Sequence, residues 1–144
     1  MAESTESTIT INAAPGDVMD VIADFEAYPQ WTGAVKKAEV VKAGTGGRAK
    51  EVFFDLDAGA IKDQYTLGYR WTGDEAVDWH IVQPGTMVAA LTGSYRLVPA
   101  GDGTTVTYEL SVDLKVPMIG MIKRKAEKVI IDRALKGLKE RVEG

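Results

Sequence analysis

Hydrophobic and polar positions alternate over residues 7–13 (STITINA), placing Ile9, Ile11 and Ala13 on one side of an extended chain. That period of two predicts a strand. The next stretch, APGDVMDVIADF (14–25), changes period: Val18, Ile22 and Phe25 are four and three apart and share one face of a short helix. Pro15 suits its first turn and Asp17 complements its positive end. Pro29 should end it, because the residue before a proline is biased toward extended geometry. From about residue 34 to 115 the pattern is strands and tight turns, broken at GTGG (44–47), DAGA (57–60), TGDE (72–75), QPG (83–85) and AGDG (100–103). Connections this short favour antiparallel neighbours, so six strands in succession predict a meander.

The alternation also assigns faces. Val52, Phe54 and Leu56 share a side, as do Tyr65, Leu67, Tyr69 and Trp71, and then Val77, Trp79 and Ile81. Met87, Ala89, Leu91, Gly93, Tyr95 and Leu97 follow, and last Val106, Tyr108, Leu110, Val112 and Leu114. Lys50, Glu51, Asp55, Gln64, Arg70, Asp78, His80, Arg96 and Glu109 fall on the other sides. One buried and one wet face follow. The last segment predicts a long helix opened near Pro117. One apolar stripe holds Ile119, Ile122, Ala126, Val129 and Ile130, and another Ile131, Ala134, Leu135, Leu138 and Val142. So broad an apolar surface implies cover on more than one side.

Three stretches carry a resemblance: INAAPGDVMDVIADFEAYPQW (11–31), TGSYRLVPAGDGTTVTYEL (92–110) and the terminal helix. With the element order, they resemble the START-like (SRPBCC) superfamily of polyketide cyclase/dehydratase-like, coenzyme Q-binding and birch-pollen-allergen-type proteins. The resemblance implies an α+β helix-grip fold: a curved seven-stranded antiparallel sheet (β-α-α-β6-α) wrapped around a long C-terminal helix. It covers one domain over 1–144, with a short disordered N-terminal tail at about 1–6. It also implies a hollow between sheet and helix, with Tyr28, Pro29 and Trp31 closing one end. Fold alone does not decide activity.

Composition narrows the partners. A net charge of -4 gives no long-range attraction to nucleic acid or to an anionic membrane. No cysteine is present, which fits a reducing cytoplasm, and no run approaches the roughly 18 apolar residues of a membrane span. The basic run KRKAEK (123–128), preceded by Met118, Ile119, Met121 and Ile122, leaves room for transient membrane contact.

The candidate chemistry is binding. Tyr65, Tyr69, Trp71, Trp79, Tyr95 and Tyr108 bring polar handles to an apolar face, as in a ligand cavity with a few placed polar groups. With them as lining candidates go Trp31, Phe54, Met87, Ile119, Ile122 and Ala126. Arg133 falls between Ile122 and Ala126 on the helical wheel, where it could meet a ligand carboxylate or enolate, or extend its stem to water. His80 is the only histidine and should face outward, so no metal site or cofactor is expected. Ser94 lies in no nucleophile elbow, and the glycines at 44–47 precede a strand rather than a helix. No catalytic residue is assigned. The expected partner is a lipid, isoprenoid or polyketide held as carrier or sensor. The alternatives are a cyclase or dehydratase using Tyr65, Tyr95 or Tyr108 as acid, and a protein-interaction module.

Overall fold

The computed structural model describes residues 4–59, 61–115 and 120–144. Strand β1 (Thr5–Ile11) leads to helix α1 (Pro15–Ala23) and a 3-10 helix (Phe25–Gln30). The meander follows as β2 (Val35–Ala43), β3 (Ala49–Asp57), β4 (Lys62–Thr72), β5 (Ala76–Gln83), β6 (Val88–Ala100) and β7 (Gly103–Leu114). Helix α2 (Gly120–Glu143) ends the chain. The sheet has the order β1-β7-β6-β5-β4-β3-β2, with every neighbour antiparallel. All five predicted breaks are connections between strands. The helix-grip expectation therefore holds.

Three local expectations need correction. β1 starts two residues early: Thr5 and Glu6, expected in the tail, pair with Leu110 and Glu109. The chain does not become extended before Pro29, because the turn after α1 tightens into a 3-10 helix that contains it. Ala89 is exposed while Val88 is fully buried. The pairing of β6 with β7 slips between Val88 and Ala90, and an extra residue in a strand moves its side chains to the other face.

α2 packs on β1, β7 and α1. Its buried side is a single stripe of Ala126, Ile130, Ile131, Ala134, Leu135 and Leu138. Gly137 interrupts that stripe for a steric reason. A side chain there would begin only 1.6 Å from the Trp31 carbonyl oxygen, so α2 rests directly on the turn after the 3-10 helix. Glycine costs about 1 kcal/mol in a helix interior, and this close approach offsets it.

Two carboxylates fix the ends of elements at the side of the sheet where α2 begins. Glu127, only 1% exposed, accepts the Thr5 hydroxyl at 2.8 Å and the Val112 N–H at 2.9 Å. β1 begins opposite Leu110, and Glu127 takes the Val112 N–H just beyond the start of that pairing. Asp63 accepts the N–H groups of Thr86, Met87 and Val88 at 2.7–2.9 Å and pins the β5–β6 turn. At the opposite end Arg48 donates to the Gly73 carbonyl at 2.6 Å and to Asp74 at 2.7 Å, beside Asp20 at 3.5 Å, and stacks 5.3 Å from the Trp71 ring.

Candidate functional site

A cavity lies between the sheet and α2. The strands supply Phe54 and Leu56 from β3, Tyr65, Leu67 and Tyr69 from β4, and Trp79 from β5. Leu91 and Tyr95 come from β6, and Tyr108 and Leu110 from β7. Their spacing by two or four along each strand puts them on one face. Ile130 and Ala134 of α2, one turn apart, form the roof. Tyr28, Trp31, Thr32 and Val35 close one end. The cavity leaves about 50 Å³ for the centre of a water-sized sphere, within about 530 Å³ of space between atoms when its mouth is counted.

Its wall is a continuous run of ring contacts. Tyr28 meets Trp31 edge-on at 4.7 Å, Trp79 lies 5.6 Å from Tyr69 and 5.4 Å from Tyr95, and Tyr95 lies 4.6 Å from Tyr108. Trp79 can lie flat across β6 because residue 93 is glycine: a side chain there would begin 2.4 Å from the indole.

The polar atoms separate into two kinds. The Tyr28 hydroxyl donates to the Ile22 carbonyl at the end of α1. The hydroxyls of Tyr65, Tyr69, Tyr95 and Tyr108 have no hydrogen-bond partner among the described residues. The indole N–H of Trp31 is sealed and unpartnered as well. Burial pushes all five tyrosine hydroxyls well above their ordinary pKa. They therefore remain protonated at neutral pH, able both to donate and to accept. Among the described residues the Trp31 N–H is the sealed side-chain group without a partner, so the four tyrosine hydroxyls open onto the cavity and face its contents rather than protein partners.

Of the predicted lining residues, the cavity wall gathers Trp31, Phe54, Tyr65, Tyr69, Trp79, Tyr95 and Tyr108. Trp71, Met87, Ala126, Ile122 and Arg133 stand outside it. Trp71 packs at the Arg48 end, donating its indole N–H to the Ala49 carbonyl at 2.8 Å. Met87 rests half-buried beside the pinned turn, and Ala126 is buried in the α2 stripe. Ile122 is 43% exposed. Steps of four residues overshoot a helical turn by about 40°, so two of them carry Ile122 roughly 80° from Ile130. Arg133 shares that direction, is exposed, and runs its stem past Gly33. No cation from this position enters the cavity. Ile119 and the predicted helix opening at Pro117 lie outside the described residues.

Leu56, Leu67, Leu91 and Leu110 line the wall and were placed on the buried face by alternation. Thr32 and Val35 were missed, because they come from an irregular turn without a period to read. Among the described residues, no group of three His, Asp or Glu side chains could hold a metal ion, and no helix is long and apolar enough to cross a membrane.

The family described as "Polyketide cyclase / dehydrase and lipid transport" matches residues 2–143. No curated protein matches the sequence. Among solved structures, a START superfamily protein from Mycobacterium smegmatis superposes with a TM-score of 0.87 at 22% identity, over 97% of both chains. A Thermus thermophilus protein gives 0.83 at 22% identity, covering 98% of this chain and 97% of its own. The Zhui aromatase/cyclase of a Streptomyces species gives 0.82 at 14% identity, covering 99% of this chain and 94% of its own. The chain belongs to the polyketide cyclase/dehydrase and lipid transport family.

Proposed function

We propose that this member of the polyketide cyclase/dehydrase and lipid transport family binds a hydrophobic small molecule carrying oxygen acceptors, of the lipid, isoprenoid or polyketide kind. It would hold the ligand between the sheet and α2, as a carrier or sensor in the cytoplasm. The observation that supports this most is the set of partnerless hydroxyls at Tyr65, Tyr69, Tyr95 and Tyr108 around an otherwise apolar wall. Burial of apolar surface would supply the affinity, and the hydroxyls with the Trp31 N–H would orient the oxygens. Native mass spectrometry of the purified chain, followed by solvent extraction, tests it. A co-purifying apolar molecule supports the reading and gives its class. Titrating apolar probes while following tryptophan emission extends the test, because Trp31 and Trp79 both line the cavity. Failure of every apolar probe to change that emission would sink the reading.

A catalytic reading has one supporting observation, the fold shared with an aromatase/cyclase. In it a tyrosine would protonate the leaving oxygen of a folded substrate. Arg133, outside the wall, does not supply an enolate-stabilising charge. Raised tyrosine pKa values make these hydroxyls weak acids, which favours positioning over proton transfer. Turnover of a polyketide probe that is lost in Tyr65→Phe, Tyr95→Phe or Tyr108→Phe while binding persists would support catalysis.

A further inference from the structure

The polar groups of the cavity share one property: all are neutral. Beside its apolar side chains the wall holds the hydroxyls of Tyr65, Tyr69, Tyr95 and Tyr108, the Thr32 side chain and the Trp31 indole. Among the described residues no Lys, Arg, His, Asp or Glu lines it. The cations of α2 are exposed or half-buried, Arg133 included, and the helix presents Ile130 and Ala134 to the cavity instead. Hydroxyls and an indole N–H can donate to an oxygen, and that is enough for a carbonyl. A carboxylate needs more. Moved out of water without a partner cation, it loses hydration that hydroxyl dipoles alone do not replace.

The surroundings also act against a negative charge. Burial is the largest influence raising the tyrosine hydroxyls, neighbouring tyrosines come next, and Asp24 adds to the effect at Tyr28 and Asp63 at Tyr65. No cation opposes these influences at any of the five. Glu127, three residues before Ile130 on α2, is a further buried carboxylate, held by Thr5 and Val112. A ligand anion would meet the same burial and the same neighbours.

We propose that the cavity selects uncharged ligands that present a carbonyl oxygen, such as ketones and esters, and rejects carboxylates of the same carbon skeleton. This selection presupposes the binding reading above and narrows it: a carboxylic acid enters only in its neutral form, whereas its ester enters as it is.

Isothermal titration calorimetry of the purified chain with methyl 2-naphthoate and with 2-naphthoate is the test. The ester is the larger molecule, so weaker binding of the acid is not a matter of size. At pH 7 the acid should bind roughly a hundredfold more weakly than the ester, or worse, because a carboxylic acid of pKa about 4 is almost wholly ionised there. Between pH 7 and 5 the apparent affinity of the acid should rise about tenfold per pH unit, while that of the ester stays level. Ile130→Lys, which brings an ammonium group to the roof, should strengthen binding of the acid at pH 7 about tenfold or more. Should that variant not fold, the two titrations of the unchanged chain decide alone. Equal binding of acid and ester at pH 7, or binding of the acid that fails to rise between pH 7 and 5, would overturn the selection and leave the binding reading standing. A folded Ile130→Lys chain that still excludes the acid would overturn it too. Binding of neither compound would overturn both.

Discussion

The contrast between Tyr28 and the other cavity tyrosines can be turned into a measurement. All five are buried, and all five lose the same atom on mutation to phenylalanine. Conventional expectation assigns each a loss of about 1 kcal/mol. Hydrogen bonding in the structure predicts unequal losses. Tyr28→Phe removes the donor to the Ile22 carbonyl at the end of α1, leaving a buried acceptor short of a partner. The cost should be about 1–3 kcal/mol. Tyr95→Phe and Tyr108→Phe remove hydroxyls that have no partner among the described residues, and the rings keep their contact at 4.6 Å. These hydroxyls open onto the cavity, so deleting them leaves no buried group short of a partner, and these variants should change stability by less than about 0.5 kcal/mol. Urea unfolding with an unchanged slope is the assay, since a shifted midpoint then reports stability alone. The same variants should bind an oxygen-bearing probe about two- to tenfold more weakly, the value of one or two hydrogen bonds. If Tyr95→Phe and Tyr108→Phe cost as much as Tyr28→Phe, their hydroxyls are already satisfied inside the protein, and the argument for placed polar handles fails.

Three further outcomes follow from the buried titratable and polar groups. The tyrosine pKa values are raised by folding, so the stability they contribute is complete below the ordinary value of 10.0 and is lost as pH climbs above it. Five such groups can steepen alkaline unfolding to about 7 kcal/mol per pH unit, and tyrosinate absorbance should rise together with loss of the fold rather than before it. For Asp63, burial pushes the carboxyl up, but the N–H groups of Val88, Met87, Gln64 and Thr86 outweigh it and leave it below 3.8. Its contribution is therefore lost as pH falls through that lowered value, and Asp63→Asn should flatten the acid limb of the stability–pH curve and increase hydrogen exchange at 86–88. Glu127→Ala removes the acceptor of two buried donors and should cost about 3–5 kcal/mol, whereas Glu127→Gln, which can still accept one, should cost about 1–3 kcal/mol. Equal, small losses for both, read by thermal unfolding, would show that Glu127 does not hold α2 to the sheet.

Much of the fold is legible in the sequence because its signals are local. Each turn carries glycine, and the period of two fixes which of Phe54, Tyr65, Trp79, Tyr95 and Tyr108 face inward. The signals fail where position depends on a distant partner. Glu127 sits in a run of charges that reads as solvated, yet it is buried against Thr5 at the start of β1, 122 residues away in sequence, and against Val112 of β7. Ala89 alternates correctly with Leu91 until a slip in pairing turns it outward, and no residue type marks that slip. Arg133 and Ile122 were drawn inward by a stripe that drifts round the helix faster than the core does. Trp31 closes the cavity as expected. That α2 bears directly on its carbonyl depends on Gly137, more than one hundred residues later.

The cavity volume makes a demand on the protein's motion. About 50 Å³ admits a few waters but not a lipid or polyketide, for which pockets of about 300–1,000 Å³ are usual. A ligand of that class must therefore be met by an expanded conformation. The closed form seals the Trp31 indole N–H without a partner, a penalty of about 1–3 kcal/mol while it stays dry. Expansion relieves that penalty by letting water or a ligand oxygen reach the group, so it lowers the free energy of opening. Asp63 and Glu127 fix the β5–β6 turn and the beginning of α2, and Arg48 fixes the opposite hairpins. The 3-10 helix with Tyr28 and the Trp31–Val35 turn is held by the Tyr28 bond to the Ile22 carbonyl, by Arg141 donating to the Gln30 side chain at 2.9 Å, by the Asp57 N–H on the Ala34 carbonyl at 2.7 Å, by α2 resting on Trp31, and by its own backbone turns. Enlarging the cavity by displacing that turn from Ile130 and Ala134 breaks the Tyr28, Arg141 and Asp57 bonds, a cost that a ligand must offset. Large aromatics on this short connector bring rigid apolar area to the end wall, where Tyr28 and Trp31 meet at 4.7 Å.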